Sequence, residues 1–203
     1  MSRIEHLTRA TLEQAPPPCR TCMWWQTRPG GREPDADRWR DDVEDDFGPW
    51  GKLYVDGERL LGYLQYGPAG RFPRAHSMPA GPPSRDAVIV TCAYLTDAHS
   101  PWALQSMLLA AIGECRDRGL PALEAFAYHY DAGEPFAGRF MTHRTIFSKD
   151  FLSDFGFVTL RSAGRIELMR LDLRGIQVVP EAGRLERLRA RLAPAQPVVT
   201  GLT

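Results

Sequence analysis

Cys19 and Cys22 stand three apart in CRTCMWW, directly before Trp24 and Trp25. A C-x-x-C pair is half of a tetrahedral zinc site or a redox dithiol. Zinc asks for four ligands, and neither a second cysteine pair nor a close histidine pair completes the set, so no metal is expected. The remaining cysteines, Cys92 in an apolar run and Cys115 in a helical one, read as packing groups. Cys19 and Cys22 are then ordinary thiols beside a tryptophan pair. Imidazoles titrate near neutral pH and can carry protons. His76 lies in a Pro- and Gly-rich segment, His99 just before a helix start, and His129 and His143 at the two ends of a polar stretch. Glu124, flanked by Leu123 and Ala125, puts a carboxylate on an apolar strand. A carboxylate there is either a general base or an exposed strand residue. Tyr128 and Tyr130 are the phenols nearest to it.

The element that must position these groups is DAVIVTCAYLTDAHSPWALQSMLLAAIGECRDRGLPALEAF, residues 86–126. Ala87 to Leu95 is an apolar, β-branched run suited to a buried strand. Ser100 is an N-cap residue and Pro101 suits the first helical position, where a missing N–H costs nothing. Leu104, Met107, Leu108, Ala111, Ile112 and Cys115 follow at helical spacing. Arg116 and Arg118 lie in the last turn and Gly119 ends it. Leu120 to Phe126 is a second strand. A crossover of this length joins parallel strands with right-handed connection. It aims the helix N-terminus at the carboxyl end of the first strand, a place that favours an anion.

Around this unit the sequence predicts an edge strand over 2–8 and an acidic helix over 37–47 with Trp39, Val43 and Phe47 on one stripe. A hairpin over 52–66 turns at Asp56-Gly57. Residues 67–84 are too rich in Pro and Gly for a regular element and read as a flap. A short helix over 146–154, strands over 157–161 and 165–173, and a terminal helix over 180–192 complete the chain. The last eleven residues are expected to fray.

At 203 residues the chain suits one domain, 1–203, with a core near 50–173. Lys plus Arg and Asp plus Glu number 25 each, which gives no support to nucleic acid as a partner. No apolar run is long enough to span a bilayer, so no membrane is expected, and the absence of an apolar leader predicts the cytoplasm. Four cysteines are too few for a disulfide scaffold.

The order of elements over about 50–173 resembles the GNAT superfamily, N-acyltransferases that use acetyl-CoA or another acyl-CoA. CAYLTDAHSPWALQSMLLAAIGECRDRGLPALEAF aligns without gaps to that family's strand, pyrophosphate loop, helix and next strand, and FLSDFGFVTLR to its Leu-Gly-Phe segment. CRTCMWW and DFLSDFGFVTLR also resemble a set of actinobacterial GNAT proteins. The resemblance implies an α/β fold: a mixed, mainly antiparallel twisted sheet, helices on both faces, and a central splayed parallel strand pair. It implies that the backbone of Ala93, Tyr94 and Leu95 pairs with pantetheine, and that Ser100, Pro101, Trp102, Ala103, Leu104 and Gln105 hold the pyrophosphate. Trp24, Trp25, His76 and Tyr128 would line the acceptor side, with Glu124 or His129 as base. The acceptor would be the amine of a small molecule or a protein, and homodimers are common in the family.

The chain also departs from the family's pattern. Ser100, Ala103 and Gln105 stand where the family loop has a cation and two glycines, which implies weak CoA binding or none. Leu152 stands where the family often has a tyrosine acid, and leucine cannot donate a proton. Three readings follow: an acyl-CoA-dependent N-acyltransferase; a GNAT-like protein that has lost CoA and serves as a binding or regulatory module; and an enzyme of other chemistry that keeps the pocket but not the cofactor.

Overall fold

The computed structural model describes residues 1–97, 100–130 and 143–176, with 143 and 144 described by backbone alone. His99, the His143 side chain and the expected helix over 180–192 lie outside the described residues. The strands are β1 (Ser2–His6), β2 (Gly51–Asp56), β3 (Arg59–Pro68), β4 (Ala87–Leu95), β5 (Ala122–Tyr128), β6 (His143–Arg144), β7 (Phe147–Ser148), β8 (Val158–Ala163) and β9 (Ile166–Asp172). The helices are α1 (Pro17–Thr21), α2 (Ala36–Asp46), α3 (Pro101–Asp117) and α4 (Lys149–Asp154). One sheet runs in the order β1-β2-β3-β4-β5-β9-β8, antiparallel throughout except for the parallel pair β4–β5. This is the expected α/β architecture. No helix among the described residues is long and apolar enough to cross a membrane.

Two apolar layers cover the sheet. On one face α3 buries Leu104, Met107, Leu108 and Ala111 against Leu64, Val88, Val90, Leu123 and Ala125. Leu152 of α4 is fully buried in this layer. On the other face lie Leu7, Trp25, Trp39, Val43, Trp50 and Phe72, packed against Leu53, Tyr63, Ile89 and Phe126. Gly119 takes φ +70 where α3 ends, a conformation glycine adopts without a Cβ penalty. The hairpin turn is one residue later than its sequence suggests. Asp56 pairs with Arg59, leaving Gly57, at φ +61, as the first central residue.

The expected flap over 67–84 is a fastened strap. β3 continues to Pro68, and two short 3₁₀ turns follow, Ala69–Arg71 and Pro73–Ser77. Phe72 and Ala75, three apart, are fully buried, and the Phe72 ring lies 5.5 Å from that of Trp39. Trp39 Nε1 donates to Arg71 O at 3.0 Å, and Arg161 Nε to Ala80 O at 3.0 Å. Its Pro and Gly content hides two apolar anchors spaced for one turn.

A β-bulge sets the geometry at the centre. Between Tyr66↔Val90 and Gln65↔Cys92 the β3–β4 ladder skips Thr91. Thr91 is fully buried and its hydroxyl donates to Gln65 Oε1 at 2.9 Å. A bulge bends its strand and changes the parity of the side chains after it. Val88 and Val90 face α3 and Ile89 faces away; past the bulge Ala93 and Leu95 face α3 and Cys92 faces away. The parallel pair holds for four residue pairs, Ala87↔Ala122 to Val90↔Ala125, and then parts. The gap is filled from within the chain. β6 pairs with β4 (Ala93↔Arg144, Tyr94↔His143) and β7 with β5 (Ala127↔Phe147, Tyr128↔Ser148).

One buried cluster ties α3 to the sheet. The Glu114 carboxylate accepts from Lys52 Nζ of β2 and from Tyr66 Oη of β3, the latter at 3.0 Å. Burial raises the Glu114 pKa, but the bonds from Lys52 and Tyr66 outweigh it and leave it below the usual carboxylate range. The stability it contributes is therefore present above the unfolded pKa of about 4.3 and is lost as pH falls through the folded value. Glu114→Gln is expected to cost on the order of 3 kcal/mol at pH 7, because Lys52 stays buried without its counter-charge. It should also flatten the loss of stability between pH 5 and 3. Urea unfolding across that range checks both, and an acid limb parallel to that of the wild type would refute the assignment.

Candidate functional site

A cavity of about 380 Å³ opens on the sheet face opposite α3. Cys19, Cys22, Trp24, Trp25 and Gln26 come from the N-terminal segment, Tyr63 and Gln65 from β3, Cys92 from β4, and Thr145 from between the parted strands. Cys92 is there because of the bulge; without it, strict alternation would turn the thiol towards α3. The cavity touches the β4–β5 parting from below, since Thr145 lies between β6 and β7.

The tryptophans are rigidly held. Trp25 is 2% exposed and stacks on Phe126, with centroids 6.0 Å apart and planes 11° apart. Trp24 meets Trp25 edge-on at 4.8 Å. The Arg74 guanidinium lies 4.4 Å from the centre of the Trp24 ring, and its Nε donates to Trp24 O at 2.5 Å. Arg74 N–H donates to Trp25 O at 3.1 Å, so the strap pins the tryptophan pair. Trp25 Nε1 and Gln26 Nε2 are buried donors that have no hydrogen-bond partner among the described residues. A buried donor left unpaired costs about 1–3 kcal/mol.

Two of the cavity's thiols, Cys19 and Cys92, are kept protonated. Burial, with a smaller effect from Cys22, pushes the Cys19 pKa up to about 12. Burial raises Cys92 as well, with Cys19 and Cys22 contributing. All four cysteines are free, and among the described residues no cluster of His, Cys, Asp or Glu is placed to hold a metal ion. Burial disfavours the thiolate at Cys19 and Cys92, and these two thiols pack as small apolar walls.

Glu124, read as a base, is held elsewhere. Its side chain is 0% exposed; Oε1 accepts from Arg170 Nη1 at 2.9 Å and Oε2 from Ser84 N–H at 2.9 Å. Arg170 also pairs with Asp86 at 3.0 Å. Glu124 sits opposite Ile89, below the parting, in the closed part of the parallel pair. Its carboxylate is a structural ion pair joining the strap, β5 and β9. His129 is exposed and its N–H donates to Arg165 O at 2.8 Å; it does not line the cavity. Tyr128 Oη accepts from Arg165 Nη1 at 3.0 Å and its ring lies 4.8 Å from Tyr130. His76 lines a separate, shallower depression with Arg28, Pro29, Gly70, Pro73 and Ser77. Of the expected acceptor residues, Trp24 and Trp25 meet at one cavity, and Tyr128 and His76 lie apart from it.

The expected pyrophosphate turn is where the sequence puts it. Ser100 occupies the N-cap position of α3 but its side chain makes no capping bond. Its carbonyl takes the Ala103 N–H at 3.0 Å. Ala103 and Leu104 are buried, Pro101 and Gln105 are exposed, and Trp102 packs edge-on against Tyr54 at 5.0 Å. The edge of β4 expected to meet pantetheine is taken at Ala93 and Tyr94 by β6.

If Glu124 is structural, Arg170→Met strands a buried carboxylate and should lower stability by about 3–5 kcal/mol. Glu124→Gln keeps the shape and should cost about 1–3 kcal/mol. Urea midpoints for the two variants measure this. Stability equal to wild type in Arg170→Met would return Glu124 to the list of free carboxylates.

No protein-family model matches the chain, and no curated protein matches it in sequence. Solved structures do match in shape. An N-acetyltransferase from Staphylococcus aureus Mu50 superposes with a TM-score of 0.50 at 14% identity, over 85% of this chain and 99% of that one. The ribosomal-protein-S18-alanine N-acetyltransferase from Escherichia coli gives 0.46 at 11%, over 89% and 97%. The PaiA N-acetyltransferase from Thermoplasma acidophilum, solved in complex with coenzyme A, gives 0.47 at 12%, over 85% and 99%. With the mixed sheet, its central parallel pair β4–β5 and its parting, the first of these likenesses identifies the architecture: this chain has the GNAT fold.

Proposed function

We propose that this chain is an acyl-CoA-dependent N-acyltransferase whose amine acceptor is a small molecule bound in the Trp24–Trp25 cavity. The observation that carries the reading is the cavity's position. Cys92, just past the bulge, and Thr145, between the parted strands, both line it. A thioester laid along β4 would present its carbonyl to the inner wall. Acyl-CoA supplies an activated acyl group; backbone amides of β4 are the groups placed to polarise its carbonyl. The amine nitrogen forms the C–N bond as the C–S bond breaks, and the thiolate leaves.

CoA fits this chain only in part. Ala93 and Tyr94 are in place on β4, and α3 offers its N-terminus at the strand's carboxyl end. That terminus is worth about 0.3–1 kcal/mol towards an anion. SPWALQ contains no cation and no glycine. β6 must also leave β4 before pantetheine can pair there. These two features favour a second reading, a GNAT-fold binding module that has lost CoA and uses the cavity alone.

Calorimetry with acetyl-CoA separates the two. Wild type should bind weakly. Arg144→Pro puts a proline into the two-residue strand β6, weakening its hold on β4, and should tighten binding about five- to tenfold, the worth of one hydrogen bond. Ser100→Arg with Gln105→Gly should tighten it further. Failure of all three proteins to bind acetyl-CoA would leave the binding-module reading.

A further inference from the structure

The cavity's chemistry bears on what enters it. Its described lining is uncharged: two indoles, a phenol, three thiols, two amides and a hydroxyl. The phenol, Tyr63, is buried, and burial first, then the neighbouring thiols, raises its pKa well above the usual value, so it stays neutral. An ammonium ion brought here would lose its water with no carboxylate among the described lining residues to replace it, and an unpaired buried charge is very costly. Cation–π binding is also pre-empted at the mouth, where Arg74 already lies over the Trp24 ring. Finally, the walls are flat, with Trp25 stacked on Phe126 and Trp24 set edge-on.

We propose that the ligand of this cavity is an uncharged, planar aromatic amine, and that alkylammonium ions are excluded. That this amine is an acyl acceptor rests on the acyltransferase reading; the binding preference does not. The class also answers the missing base. An alkyl amine, with pKa near 10.4, is almost wholly protonated at pH 7 and must be deprotonated before it attacks. Glu124, the carboxylate expected to do so, is spent on Arg170 and Ser84. An aryl amine is already neutral at that pH. It attacks the thioester carbon with its own lone pair, the C–S bond breaks, and the nitrogen's surplus proton goes to the departing thiolate.

Two isomers test this: p-toluidine, neutral at pH 7.5, and benzylamine, protonated at that pH. Calorimetry on the full chain without CoA should give p-toluidine at least a tenfold lower Kd. Cys22 is exposed and lines the cavity, so Cys22→Glu adds a carboxylate without disturbing the core. It should shift the ratio of the two Kd values at least tenfold towards benzylamine, with Tm near that of the wild type. Equal or tighter binding of benzylamine, no binding of either isomer, or a ratio that Cys22→Glu leaves unmoved would overturn the proposal. Preference for p-toluidine without any acetyl transfer to it would uphold the proposal and remove the acyltransferase reading alone.

Discussion

The constraint on which the centre of this structure depends is the backbone hydrogen-bonding requirement created by the bulge at Thr91. Bending β4 there parts it from β5 after Val90↔Ala125. Every amide and carbonyl beyond that point then needs another partner, because an unpaired buried backbone group costs about as much as a lost hydrogen bond. The chain answers with its own residues, β6 on β4 and β7 on β5. The turn between those short strands puts Thr145 against the cavity. Cavity, parting and inserted segment are consequently adjacent, and Thr145 belongs to all three.

Charge is distributed around this object in a consistent way. Three carboxylates against the sheet, two buried and Glu114 half-buried, are each committed to a cation: Glu124 to Arg170, Glu114 to Lys52, Glu167 to Lys149 at 2.8 Å. Each pair joins elements distant in sequence. Burial raises the Glu167 carboxyl's pKa, while Lys149 and Thr159 more than offset it and hold it below the usual range. The charges thus fasten the sheet's flanks, and the described wall of the cavity is left to neutral groups.

Much of the architecture was legible because its signals are local. The run from Ala87 to Leu95 forms β4 with those bounds, and Pro101 and Gly119 mark α3. Trp24 and Trp25, adjacent in sequence, line one cavity. What escaped reading depends on pairs far apart in the chain. Cys92 follows a bulge, so alternation along its own strand gives the wrong face. Glu124 alternates as a strand residue should, yet its partner Arg170 lies 46 positions away. β6 and β7 are two residues each, shorter than any periodicity can show. The strap was misread because composition counts Pro and Gly but not the spacing of Phe72 and Ala75.

These terms together set what CoA must overcome. Pantetheine pairing with β4 would exchange the β6 pairing beside Ala93 and Tyr94 for similar bonds to the ligand. That exchange gives little net gain, while displacing the inserted segment also gives up the burial of Phe147, which is 1% exposed. Affinity must then come mainly from the diphosphate. At α3 it would find a helix terminus without a neighbouring cation in the turn, worth about 1 kcal/mol at most when exposed. The aromatic cavity needs no such displacement to be filled. Were acyl-CoA the donor, the aromatic cavity would be the half of the site already formed, and the cofactor side the half that binding has to open.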